Sequence, residues 1–170
     1  MLTMCMLFIG YNTYRRDGLG FRLPKLVQEF TQYKYNFDNF SLAYRKGSCF
    51  LTPEQDFTAF NTCESKGKNK QTLILWGDSH AASLYPGYEN SLSNTLKIVQ
   101  RTTSSCPPIL SYDNNSTTCR KINDYIFDEI QKIKPDKVVL SAAWPNYGDV
   151  YKRVEDTITQ LHKIGIKNID

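Results

Sequence analysis

The sequence predicts an α/β fold in three layers, a parallel sheet covered by helices on both faces. Three observations carry that expectation. Short segments at 72–76, 96–101 and 138–143, the first and last of them largely apolar, have the length of strands. Between and after them, apolar residues recur at helical spacing: Ile122, Ile126, Ile130 and Ile133, then Val150, Val154, Ile158 and Leu161. Glycine and proline punctuate the joins, at Gly77, Pro135 and Gly165. Apolar strands that alternate with helices belong to a parallel sheet, because each crossover helix covers a face.

At the N-terminus, residues 1–9 are nearly all apolar, with Met4, Cys5, Met6 and Phe8 among them. The run is too short to cross a bilayer, which takes about 20 residues. No basic residue precedes it and no small-residue cleavage site comes after it, unlike a signal peptide. Tyr11, Tyr14, Arg15 and Arg16 come next, aromatic then basic, as at a membrane interface. Segment 1–16 therefore reads as the last turns of a transmembrane helix whose beginning is absent, or as an apolar terminus docked on the domain. Residues 17–48 read as a linker with Gly18 and Gly20, then an aromatic-rich stretch without a clean period. The rings of that stretch are expected to lie against the main domain or a membrane surface.

Residues 49–170 hold the α/β domain. A loop region reaching to Lys70 carries Cys49 and Cys63. The strand at 72–76 leads into a helix over 81–91. The strand at 96–101 precedes a polar loop, 102–118, with Cys106-Pro107-Pro108 in it. The isoleucine-striped helix ends at Lys134-Pro135-Asp136, since proline cannot continue a helix. A buried strand over 138–143 and the last helix come next, the helix ending at Gly165. Residues 166–169 begin another strand, so the sheet is expected to be incomplete at the C-terminus.

The chain has 170 residues, enough for one domain with a real core. Its 41% hydrophobic and 22% charged residues argue against wholesale disorder. The formal charge of +4 is scattered. The one basic cluster, Lys66, Lys68 and Lys70, sits beside glycine and asparagine and reads as a solvated loop. It lacks the interleaved aromatics of a nucleic-acid groove, so no nucleic-acid partner is expected.

Cys49 and Cys63 lie 14 positions apart, and Cys106 and Cys119 lie 13 apart. None belongs to a Cys-x-x-Cys pair, and His80 and His162 are not spaced as co-ligands, so no metal site is expected. The four cysteines allow three pairings. The two local ones close short polar loops, each stabilising the fold by roughly 3 kcal/mol in the chain-entropy model. Disulfides place the domain in an oxidising compartment. The alternative is four reduced, buried thiols in a cytosolic protein, but the flanking residues are polar loop types. The two arginines after the apolar segment favour a cytoplasmic position for the rest of the chain; the cysteines favour the opposite side and weigh more.

The stretch 72–82 reads Thr-Leu-Ile-Leu-Trp-Gly-Asp-Ser-His-Ala-Ala, a buried strand running through a tight turn into a helix. Ser79 sits at the turn. There a serine hydroxyl stands at the carboxyl edge of a sheet, and its N–H lies at a helix N-terminus. An acyl-transferring nucleophile needs both, an exposed oxygen and a donor for the oxyanion. The plainer reading is a helix cap by Asp78 or Ser79. Sites in parallel sheets collect at the carboxyl ends of strands. Ser79, the 102–106 loop and the 144–148 loop all fall at such ends and are expected to converge.

This pattern resembles a known family. Gly77-Asp78-Ser79-His80-Ala81, with Leu84-Tyr85-Pro86-Gly87 after it, is similar to the first block of SGNH hydrolases. More closely, it resembles the SGNH domain fused to acyltransferase family 3 membrane proteins, which O-acetylate bacterial surface polysaccharides. Cys106-Pro107-Pro108, the Ala142-Ala143-Trp144 strand end with Tyr147 beyond, and Arg22-Leu23-Pro24 after an apolar segment fit that group. The resemblance covers about 19–170 and implies an SGNH/flavodoxin-like sheet, truncated at both ends. It makes Ser79 the nucleophile, with its own N–H in the oxyanion hole and Asp78 holding the turn. It places the domain on the extracytoplasmic, periplasmic side, membrane-attached through an acyltransferase domain in the parent chain. No metal or dissociable cofactor is implied.

The sequence departs from the family pattern in three places. The 102–108 loop has no oxyanion glycine. Trp144 stands near the expected asparagine, and Asn146, two positions on, is either an amide donor to the oxyanion or a turn residue. The acid–base pair Asp-x-x-His is missing: His162 lies in the last helix, and His80, beside Ser79, lines the pocket or replaces the missing base. The resulting reading is serine-dependent O-acyl transfer to or from a cell-surface polysaccharide, catalytically incomplete as this fragment. Its substrate is a polysaccharide or an acyl ester, and transferase and esterase share the same acyl-serine step. The alternative is a non-catalytic glycan- or protein-binding module on the same scaffold, with Trp76, Trp144 and Tyr147 stacking on sugars. A third reading is a degraded fragment without a stable fold.

Overall fold

A computed structural model of the chain describes residues 2–16, 18, 20–31, 37–65, 71–113 and 117–170. The lysine cluster at Lys66, Lys68 and Lys70 lies outside them. The chain divides into two compact units, Met1–Phe37 and Asp38–Asp170.

The first unit contains helix α1 (Leu2–Arg15), a 3-10 turn (Gly20–Arg22) and helix α2 (Lys25–Thr31). Helix α1 exposes apolar side chains on every side: Met4, Met6, Leu7, Phe8, Ile9, Tyr11 and Tyr14 are all more than half exposed. Its polar side chains turn inward on the backbone, Asn12 Nδ2 donating to Phe8 O and Thr13 Oγ1 to Ile9 O. Among the described residues no helix is long and apolar enough to cross a membrane.

The second unit begins in helix α3 (Phe37–Tyr44) and continues through β1 (Phe50–Leu51), β2 (Thr72–Gly77), α4 (Ser79–Leu92) and β3 (Lys97–Thr103). Helix α5 (Thr117–Ile133), β4 (Lys137–Ser141) and α6 (Tyr151–Lys163) complete it. The four strands are parallel in the order β1-β3-β2-β4, so the expected α/β sheet forms. Backbone bonds from Val138 and Leu140 to the carbonyls of Asn168 and Asp170 add the chain's last residues beside β4, in parallel.

Helices cover both faces because the crossovers run in opposite directions. From β2 the chain passes through α4 to β3; from β3 it passes through α5 back across β2 to β4. Right-handed crossovers in opposite directions put their helices on opposite faces. Leu73, Leu75 and Ile98 pack with Ala81 and Tyr85 of α4 on one face. Ile74, Trp76, Val99, Val138 and Leu140 pack with Ile122, Ile126 and Ile130 of α5 and Leu161 of α6 on the other. The isoleucine stripe is buried through Ile130 and ends with Ile133 partly exposed.

Three strand details differ from the sequence pattern. Strand β3 runs two residues past Arg101, because the guanidinium does not need solvent. It donates to both carboxylate oxygens of Glu129 on α5 at 2.6 Å, with the residue 6% exposed. Strand β4 stops at Ser141; Ala142 and Ala143 lead into a 3-10 turn over Trp144–Tyr147. Trp76 is no sugar-stacking surface: it is 1% exposed, and its indole N–H donates to Asn123 Oδ1 at 2.9 Å.

Both local disulfides form, Cys49–Cys63 and Cys106–Cys119. The first ties the approach to β1 to the segment that pairs with β3, where Gln100 N–H donates to Cys63 O. The second ties the loop after β3 to the first turn of α5. Cys5 is free and exposed.

Candidate active site

The turn between β2 and α4 is shaped by Gly77. It pairs with Thr102 on one side and Ser141 on the other. A Cβ on Gly77 would lie 1.8 Å from the Ser141 carbonyl oxygen and 2.9 Å from Ala81 Cβ. Only a residue without a side chain lets the turn sit this deep between its neighbours.

Asp78 caps α4 and does more than cap. Its Oδ1 accepts the His80 N–H at 2.8 Å. Its Oδ2 accepts the Ala143 N–H at 2.9 Å and the Tyr147 hydroxyl at 2.5 Å. The residue is 1% exposed. One buried carboxylate thus fastens the β2–α4 turn to the loop after β4, with donors matched to its negative charge. Ser79 opens α4 as its first residue and is half-buried. Among the described residues no side chain hydrogen-bonds its hydroxyl.

The loop after β3 joins the same edge. The Tyr112 ring meets the Tyr147 ring edge-on, centroids 5.9 Å apart. Cys106, Ile109, Tyr112, Cys119 and Val150 form a small core beneath, with Trp144 and Tyr147 packed on it. Asn123 of α5, 1% exposed, donates to the carbonyls of Pro107 (2.9 Å) and Ile109 (2.8 Å) while accepting from Trp76. The left-handed turn of this loop, in which the family pattern has a glycine and this chain has none, falls on Ser105, φ 55°. The three connections therefore meet along the carboxyl edge.

The remaining expected site residues are more scattered. The His80 side chain is 61% exposed, with Nδ1 3.6 Å from Asp78 Oδ1. Trp144 lines an apolar cavity of about 300 Å³ with Leu140, Val150, Val154 and Ile158. Asn146 is exposed in the 3-10 turn, its N–H donating to Ala143 O. His162 lies on the exposed side of α6, its Nδ1 2.8 Å from Ile166 O. Among the described residues no cluster of histidine, cysteine and carboxylate side chains is arranged to hold a metal ion. Tyr147 and Asn123 carry contacts that the sequence did not announce. Each acts across a long separation, and no local spacing marks it.

Burial, reinforced by the bond to Asp78, pushes the Tyr147 hydroxyl far above the ordinary tyrosine range. Burial and the bond to Glu89 push Tyr85 up to about 12, and burial raises Tyr112. In the unfolded chain these phenols ionise near pH 10. Above that pH the unfolded state binds fewer protons than the native one, so stability falls as pH rises. Urea melts are expected to show midpoints steady up to about pH 9.5 and declining beyond it. Replacing Tyr147 by Phe is expected to flatten that decline.

Comparison with known proteins agrees with this architecture. The family described as SGNH domain (fused to AT3 domains) matches residues 48–169. No curated protein sequence matches the chain. Among solved structures, the chain is similar to the periplasmic domain of a lipopolysaccharide acetyltransferase from Salmonella ser. Paratyphi A. The two share 25% identity with a TM-score of 0.59, over 76% of this chain and 53% of that one. The chain thus spans about half the length of that solved relative.

Proposed function

Since the chain belongs to the family of SGNH domains fused to AT3 domains, we propose that Ser79 is the nucleophile of an O-acyl transfer on the extracytoplasmic side of a membrane. The observation that carries this reading is the placement of Ser79. It opens a 14-residue helix at the carboxyl edge of a parallel sheet, on a turn held by a buried carboxylate. The helix N-terminus puts its positive end and unpaired N–H groups beside the hydroxyl. That arrangement favours the oxyanion formed when the serine attacks an ester carbonyl. The acyl group passes from an ester donor to Ser79, releasing the donor's alcohol, and then to a sugar hydroxyl or to water. The solved relative is named a lipopolysaccharide acetyltransferase; acetyl transfer to a surface polysaccharide is the corresponding assignment for this chain. Asn146 is assigned to the edge of this site as a turn or amide donor, and His80 and Trp144 to its walls.

The apolar α1, with Tyr14, Arg15 and Arg16 at its end, is proposed to meet the bilayer, the arginines at the headgroups. The disulfides accord with an oxidising, periplasmic setting. A membrane acyltransferase domain is the proposed partner in the parent protein.

One observation favours the second reading, a non-catalytic glycan- or protein-binding module: no side chain among the described residues hydrogen-bonds the Ser79 hydroxyl. A serine without a base is a poor nucleophile. A fluorophosphonate probe separates the readings. Incubated with the full-length protein, it is expected to label Ser79, read by peptide mass spectrometry. A cooperatively melting protein that takes no label at Ser79 would favour the binding module.

A further inference from the structure

Asp78 uses only half of its carboxylate as a helix cap. An aspartate at an N-cap ordinarily aims its oxygens at the N–H groups of the second and third helical residues. Here Oδ1 accepts the His80 N–H at 2.8 Å, while Oδ2 turns away from α4 to the Ala143 N–H and the Tyr147 hydroxyl. The bond from Tyr147, at 2.5 Å, is the shorter of the two on Oδ2 and spans 69 positions of sequence.

The tyrosine is seated from its far side. Its ring meets the Tyr112 ring edge-on, and the Arg153 guanidinium lies over the Tyr112 ring, Cζ 5.0 Å from the centroid. Arg153 in turn donates to Ser111 O at 2.7 Å. The loop after β3, the turn after β4 and helix α6 thus converge on one phenol, which burial holds in its protonated, donating form.

The direction of Oδ2 matters to the chemistry. The first N–H groups of a helix have no partners within it. The oxyanion formed by attack of Ser79 would draw on those of α4. A carboxylate oxygen free to swing onto the same groups would compete for them, and its negative charge would oppose the new one at close range. Held by two donors, Oδ2 stays off the helix end, and its charge is shared with them.

We infer that Tyr147 is a positioning residue for Ser79: its hydroxyl holds the Asp78 carboxylate away from the N-terminus of α4 and leaves that end of the helix open to the oxyanion. The inference rests on the acyl-transfer reading, because only a charge arriving at Ser79 gives the open helix end a use.

The test is the rate at which Ser79 of the full-length protein takes a fluorophosphonate. It is measured over a range of probe concentrations in the parent, Tyr147→Phe, Asp78→Asn and the double variant. The reaction forms the Oγ–P bond with loss of hydrogen fluoride overall, and its transition state carries negative charge on the phosphoryl oxygen. Tyr147→Phe keeps the ring and its contact with Tyr112 and is expected to melt cooperatively. It is expected to lower the maximal labelling rate about ten-fold, the scale of one hydrogen bond to a charged group. The half-saturating probe concentration is expected to stay within about two-fold of the parent's, because the loss falls on the transition state. Asp78→Asn has no charge to hold off. Removing the Tyr147 hydroxyl from that variant is expected to slow it by less than about two-fold, since the tyrosine acts through the carboxylate. Ile130→Val, a core change near the far end of α5, controls for lost stability and is expected to label at the parental rate.

A cooperatively melting Tyr147→Phe protein that labels within about two-fold of the parent would overturn the inference and leave Ser79 as the nucleophile. Equal slowing by Ile130→Val would overturn it, as would a hydroxyl deletion that slows the Asp78→Asn protein as much as the parent. No label at Ser79 in the parent would remove the acyl-transfer reading, and the inference with it.

Discussion

Gly77→Ala is expected to destabilise the domain by at least about 3 kcal/mol, the upper end of what overpacking does to a close-packed interior. The new methyl would stand 1.8 Å from the Ser141 carbonyl oxygen, a backbone atom that cannot swing aside. Relief requires β2 and β4 to separate at their carboxyl ends, and that movement breaks the Gly77–Ser141 pairing. It also draws Asp78 away from the Ala143 N–H. A loss of that size is a large share of the stability of a typical domain. Thermal melts followed by circular dichroism are expected to show a drop of about 10 °C, or no cooperative transition at all. A midpoint within about 2 °C of the parent would show that the turn has room the structure denies it.

Ser79→Ala is expected to do the opposite: leave the fold intact and remove the chemistry. The hydroxyl has no hydrogen bond among the described residues, and the residue is half-buried, so stability should stay within about 0.5 kcal/mol. Loss of a nucleophile lowers turnover by roughly 10,000-fold or more, leaving only the contributions of binding and the oxyanion donors. Acetyl content of the surface polysaccharide, measured in cells carrying the full-length variant as the sole copy, is expected to fall to background. Acetylation at the parental level, with the variant folded, would take Ser79 out of the mechanism.

Much of the scaffold was legible because it is local. Buried strands, the isoleucine stripe of α5 and the breaker at Pro135 are patterns over a few residues, and their alternation implied the sheet. Ser79 was legible for the same reason, as a strand–turn–helix junction. The sequence pattern begins its helix at Ala81, two residues late, because Asp78 rather than a later residue makes the cap. Arg101 looked like a strand's end because a charge ordinarily seeks water; Glu129, 28 positions away, keeps it inside. The aromatic stretch without a clean period proved to contain two short helices, α2 and α3. Asn123 was invisible as a site residue, and Tyr147, read as a sugar-stacking ring, gave no sign of its bond to Asp78. Their partners lie 47 and 69 positions away, and only the folded sheet brings them together.

Asn123 has a mechanical consequence. One amide on α5 grips two carbonyls of the Pro107–Ile109 segment and the indole of β2 at once. A slide of that helix would drag the 107–109 segment with it, and the segment cannot drift while the helix stays put. That edge of the sheet should therefore behave as a stiff unit, and whatever binds there would have to shape itself to it.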